Sequence, residues 1–151
     1  VYNQVSGQHN NRSADLTQSP AFAFGEGLSY TTVEYSDLQV LTSAVGLADT
    51  VQARVTLANT GSRPALETIQ VYLSDSVTSV TWADKELKSY LRTALAPGES
   101  RTIEIELPVA DCTLVDADGH RIVEPGGFEL LVGPSSRDSA LLRAPFEVTA
   151  G

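Results

Sequence analysis

From residue 33 onward, apolar and polar side chains alternate with a period of two. Val51, Ala53, Val55 and Leu57 share one parity, with Gln52, Arg54 and Thr56 between them. An extended backbone puts the first set on one face and the second on the other, which is the pattern of a strand half buried in a sheet. The pattern recurs at Ile69, Val71 and Leu73, at Ile103, Ile105 and Leu107 against Thr102, Glu104 and Glu106, and at Leu142, Ala144, Phe146 and Val148. No stretch sustains helical spacing. The first strand breaks parity, because Val33 and Tyr35 share one phase while Leu38 and Val40 share the other. A bulge near Ser36-Asp37 returns both pairs to the core face.

Turn residues separate these runs. Asn59-Thr60-Gly61, Pro97-Gly98, Asp118-Gly119 and Pro125-Gly126-Gly127 supply the fixed φ of proline or the positive φ that glycine tolerates. Asp118-Gly119, between Leu114-Val115 and Ile122-Val123, has the form of a two-residue hairpin loop. About seven or eight short strands joined in this way predict an all-β, immunoglobulin-like antiparallel β-sandwich, with a closed barrel as the alternative. Residues 1–20 differ in texture: Asn3, Gln4, Ser6, Gln8, His9, Asn10, Asn11 and Arg12 belong to no periodic apolar face. They predict an extended N-terminal arm, ended by Ser19-Pro20, ahead of a sandwich over residues 21–151.

With 151 residues, 42% hydrophobic and 19% charged, the chain is large enough to bury one core. Its net charge is −9, and Arg12 alone among basic residues precedes Arg54. No basic stripe exists to neutralise phosphates or an anionic bilayer, so neither nucleic acid nor a membrane is an expected partner. One cysteine, Cys112, excludes an internal disulfide, and with only His9 and His120 beside it no zinc-type spacing exists. Neither a metal nor a cofactor is expected. No apolar run approaches the roughly 20 residues needed to span a bilayer. The absence of methionine predicts a piece excised from a longer chain and leaves the compartment open.

Candidate chemistry is sparse. Ser, His and Asp all occur, but no Gly-x-Ser-x-Gly elbow does. Asp116-Ala117-Asp118-Gly119 resembles part of a calcium loop, yet the first and twelfth ligand positions fall on Leu114 and Pro125, which favours the hairpin. Glu104 and Glu106 lie on one strand face roughly 7 Å apart, between the separations of retaining and inverting glycosidases, and are read more simply as a solvated face. Trp82 with Tyr72 and Tyr90 offers a possible sugar-stacking platform, against which a packing role for the lone tryptophan weighs more heavily. Asn11-Arg12-Ser13 matches a glycosylation acceptor, a weak three-residue pattern. Phe22-Ala23-Phe24-Gly25-Glu26-Gly27-Leu28-Ser29-Tyr30-Thr31 is different in kind: two aromatics, two glycines and a tyrosine predict a tight loop laid over an apolar surface. That composition indicates an interface.

The same segment resembles the Phe-x-Phe-Gly-x-Gly-Leu-Ser-Tyr-Thr signature that opens the C-terminal fibronectin type III-like domain of glycoside hydrolase family 3 enzymes, chiefly β-glucosidases. Val55 to Gly61, Glu67 to Tyr72, Lys85-Glu86-Leu87-Lys88-Ser89-Tyr90 with Leu95 to Ser100, and Val123 to Gly133 with Ser135-Ser136-Arg137-Asp138 resemble its later motifs in order. The resemblance implies a fibronectin type III-like sandwich whose partners are the catalytic domains of the same parent chain. The family carries its catalytic aspartate and its acid/base in upstream domains, so no catalytic residue transfers to this chain. Phe22, Phe24, Leu28 and Tyr30 become domain-interface residues. Gln8, His9 and Arg12, in the stretch arriving from the catalytic sandwich, become candidates for a loop beside the substrate pocket, with a solvated tether as the plainer reading. The implied function is a non-catalytic domain buttressing a β-glycosidase, either bacterial cytoplasmic or secreted if a signal lies upstream. The alternative is a free-standing carbohydrate- or protein-binding module, although oligosaccharide binding by the isolated chain is not expected.

Overall fold

The computed structural model describes residues 21–75 and 83–150. Gln8, His9, Arg12 and Trp82 therefore lie outside the described residues, as does the glycosylation pattern at Asn11. Ten strands follow in order: β1 Val33–Val40, β2 Ala44–Gly46, β3 Thr50–Asn59, β4 Ala65–Asp75, β5 Glu86–Leu95, β6 Ser100–Pro108, β7 Leu114–Val115, β8 Arg121–Ile122, β9 Gly126–Gly133 and β10 Leu142–Thr149. The described residues include no α-helix, only short 3-10 turns at Val109–Asp111 and Asp138–Ala140.

The strands form two sheets, β1-β3-β6 and β2-β10-β9-β4-β5, with β7-β8 as a separate hairpin. The chain is all-β and its two main sheets make a sandwich, not a closed barrel. The core between them is built by the predicted parities: Val51, Ala53, Val55 and Leu57 from β3, Ile69, Val71 and Leu73 from β4, Ile105 and Leu107 from β6, and Phe146 and Val148 from β10. Phe128 and Phe146 stack there with ring centroids 5.5 Å apart. Ile103 is only half buried at the rim of this core. The β1 bulge is where parity placed it: the register with β3 shifts between Ser36 and Gln39, and Asp37 takes a positive φ of 53°.

Four expectations need correction. The Asp118-Gly119 hairpin has a longer loop than two residues. Val115 pairs with Arg121 and the Asp116 N–H donates to His120 O, leaving Ala117, Asp118 and Gly119 as a three-residue loop with Gly119 at φ 85°. A positive φ at the last loop position is what that loop length requires. Pro125-Gly126-Gly127 does not form a turn, because both glycines already pair with β10 in the ladder of β9. Pairing is not antiparallel throughout, since β2 runs parallel to β10. Finally, β4 is buried on both faces: Gln70 and Tyr72, on the parity assigned to solvent, are 7% and 0% exposed. Tyr72 joins Leu131 and Leu141 in a second small apolar cluster on the outer side of the five-stranded sheet.

Candidate docking site

The aromatic-glycine segment lies at one end of the sandwich as an ordered loop. The Glu26 N–H donates to Ala23 O at 3.1 Å, while the Glu26 carboxylate accepts from the Ala23 N–H at 2.7 Å and from Arg137 at 2.6 Å. These hydrogen bonds, first that from Ala23 and then that from Arg137, lower the Glu26 pKa. The buried Gln70 side chain donates from Nε2 to Gly25 O at 2.9 Å and to Pro134 O at 2.6 Å, and its Oε1 accepts from the Tyr72 hydroxyl. Ser136 N–H donates to Phe24 O at 2.9 Å. Gly25 is required here: its φ is 74°, and a Cβ would sit 2.0 Å from Gln70 Oε1.

The surface beneath this loop is polar, contrary to the expected apolar bed. Backbone carbonyls brought against a sheet need donors, and the Gln70 amide and the Ser136 N–H provide them. The apolar side chains turn outward instead. Phe22 is 72% exposed, Leu28 98% and Tyr30 91%, with Phe24 at 47%. Between the loop and β4 lies a groove of about 280 Å³, bordered by Gly25, Gly27, Leu28, Leu66, Thr68 and Pro134.

Two buried polar residues that sequence reasoning did not single out hold the neighbouring segments. Asn59, at the end of β3, is 1% exposed. Its Oδ1 accepts from Thr31 Oγ1 at 2.8 Å and Gly61 N–H at 3.2 Å, and its Nδ2 donates to Arg63 O at 2.8 Å and Leu95 O at 3.1 Å. Lys85, just before β5, has a side chain 1% exposed, with Nζ 2.5 Å from Asp138 Oδ1 and 3.4 Å from Asp84. Asp138 also meets Arg143 at 3.0 Å. The Lys85 hydrogen bond is the chief cause of a lowered Asp138 pKa. A carboxyl whose pKa is lower in the folded state stabilises above the ordinary carboxylate range, and that contribution disappears as pH falls through the folded pKa. Asp138→Asn is therefore expected to reduce stability at neutral pH and to lessen the loss on acidification. Denaturant midpoints at pH 7 and near pH 3 for both proteins check this, and parallel pH profiles would contradict it.

The remaining candidates are not assembled into a catalytic centre among the described residues. Tyr72 is fully buried, so it cannot join Tyr90 in an exposed platform. Glu104 and Glu106 are exposed on the outer side of β6, as expected. Glu26, Glu99 and Asp138 have their pKa values shifted downward, whereas a general acid needs the opposite. Asp116, Asp118 and His120 bring possible ligand atoms within 4.8 Å of one another. Asp116 Oδ1, however, is engaged by the N–H groups of Asp118 and His120, at 3.0 and 2.8 Å, which closes the hairpin loop. Burial pushes the Cys112 thiol up to about 11, which keeps it protonated and unreactive.

Residues 67–136 match the fibronectin type III-like domain family. The chain carries a fibronectin type III-like domain. The relatives that match it are β-xylosidases and β-glucosidases, in agreement with the motifs. A β-xylosidase of Formosa agariphila is 36% identical over 132 residues, covering 87% of this chain and 18% of the relative. Thermostable β-glucosidase B of Acetivibrio thermocellus is 38% identical over 125 residues, covering 81% and 16%. Among solved structures, a β-glucosidase involved in saponin metabolism from intestinal bacteria superposes with a TM-score of 0.92 at 54% identity, over 97% of this chain and 20% of that one. The fibronectin type III-like domain thus spans about a fifth of the length of the relatives it matches.

Proposed function

We propose that this chain is the non-catalytic C-terminal domain of a family 3 β-glycosidase, a β-glucosidase by its nearest signature, and that it buttresses the catalytic domains of the same polypeptide. Residues 1–20 then lead in from the preceding domain, and Phe22, Phe24, Leu28 and Tyr30 are its contact residues. The observation that carries this reading is the coverage: nearly all of the chain aligns with about one fifth of glycosidases that are otherwise much longer. The loop supports it independently. Several large apolar side chains standing in water on a backbone held by buried hydrogen bonds form a preorganised contact surface, since such patches mark interaction sites.

The test is activity of the purified chain on aryl β-glycosides, including β-glucosides and β-xylosides. No turnover above a host-enzyme control is expected, because the described residues fill neither carboxylate role of a glycosidase. Turnover abolished by replacing a residue of this chain would overturn the reading. In the full-length polypeptide, replacing Phe22 and Tyr30 with serine is expected to lower the thermal midpoint of the catalytic domains. An unchanged midpoint would remove the buttressing role.

A further inference from the structure

The outer face of the five-stranded sheet is unevenly covered. At β9 and the adjoining half of β4, Tyr72, Leu131 and Leu141 are buried together, beneath the segment held by the Lys85–Asp138 pair. At β5 and the beginning of β4 the same face stands open: Leu66 is 62% exposed, Tyr90 65%, and Arg92 and Ala94 are also exposed. These residues are cross-strand neighbours, because Leu66 pairs with Ala94, Thr68 with Arg92 and Gln70 with Tyr90. The open strip leads into the groove of about 280 Å³ under Leu28.

We propose that this strip is a second seat for the neighbouring domain of the parent polypeptide, distinct from the apolar loop, and that it receives an apolar side chain followed by a carboxylate. The inference rests on the reading of the chain as one domain of a longer glycosidase. Three observations select that occupant. Tyrosine and arginine, here side by side on a sheet face that also exposes a leucine, are residue types enriched at the anchors of buried interfaces. Arg92 forms no ion pair among the described residues, although the chain carries a net charge of −9. An uncommitted cation on an acidic domain favours a partner that brings its own carboxylate. Glu67, which also borders the groove, makes no ion pair with it: Arg92 pairs across the strands with Thr68, whereas Glu67 lies on the other parity of β4, where its Oε1 accepts from the Tyr35 hydroxyl at 2.8 Å. The solved relative of TM-score 0.92 has about four fifths of its polypeptide beyond the matching region, enough to supply such a surface within one chain. The groove has room for one bulky side chain beside that contact.

Hydroxyl-radical footprinting of the full-length polypeptide and of this chain alone tests the proposal. Leu66 and Tyr90 are expected to be oxidised several-fold less in the full-length protein, while Leu41 and Leu47, exposed at the opposite end of the sandwich, are oxidised equally in both. Arg92→Glu in the full-length protein is expected to restore oxidation of Tyr90. If Phe22 and Tyr30 are protected but Leu66 and Tyr90 are not, the second seat is wrong and the buttressing reading stands. If none of the four is protected, both fall. Protection of Tyr90 that survives Arg92→Glu would overturn the carboxylate contact.

Discussion

Replacing Asn59 with alanine is expected to cost about 2–4 kcal/mol of folding stability, an effect of the size reserved for buried polar hubs. The side chain satisfies four polar atoms from three segments: Thr31 before β1, Gly61 and Arg63 in the following turn, and Leu95 at the end of β5. Its backbone adds two bonds, donating to Glu99 O and accepting from the Gly98 N–H, both at 2.9 Å. Alanine leaves the buried Leu95 carbonyl without this donor, and an orphaned buried acceptor carries most of the penalty. Asn59→Asp is the sharper control. It keeps the acceptor for Thr31 and Gly61 but turns a charged oxygen toward two carbonyls, so it should be at least as damaging as alanine. Denaturant midpoints decide the matter, and an aspartate variant as stable as the parent would show that donation to Arg63 and Leu95 is not what the amide contributes.

A comparable loss is expected at Ile105. It is 1% exposed, pairs with Ala53 and faces the opposite sheet, so Ile105→Ala should cost roughly 2–5 kcal/mol. Two neighbours on the same strand calibrate the number. Ile103, half buried at the rim, should lose distinctly less on truncation, and Glu104→Ala should stay within about 0.5 kcal/mol. The predicted order is therefore Ile105, Ile103, Glu104. Equal losses at Ile105 and Glu104 would mean that the strand phase is wrong.

Alternation was a reliable guide for β3, β6 and β10 because each has one face toward water, so the polar residues mark the outside. It was equally informative in β1, where a change of parity located the bulge at Asp37. It failed on β4 for a physical reason: once the 134–141 segment covers the outer face, Gln70 and Tyr72 are buried without being apolar enough to announce it. Glycine-based turns were located correctly at Asp118-Gly119 and misplaced at Gly126-Gly127, since glycine marks both loops and the starts of strands. The docking loop was evident from its clustered aromatics and glycines. Its outward orientation was not, because that depends on carbonyls answered by Gln70 and Ser136 from distant parts of the chain. Asn59 and Lys85 fall inside motifs noticed for their family resemblance, yet an asparagine and a lysine carry no mark of burial until their partners are assembled. Those motifs are the joints between segments: Lys85 meets Asp138, Gln70 meets Gly25, and Asn59 meets Thr31.

The parallel pairing of Ala44–Gly46 with the last strand bears on how the domain is made. Thr149 Oγ1 reaches back to Val45 O across 104 positions of chain, and β2 has no other neighbour in its sheet. During synthesis both β2 and the free edge of β9 must therefore wait, unpaired, until residues 142–149 have left the ribosome. A transcript cut short before Leu142 should yield not a trimmed domain but a product with two open strand edges, which are templates for aggregation.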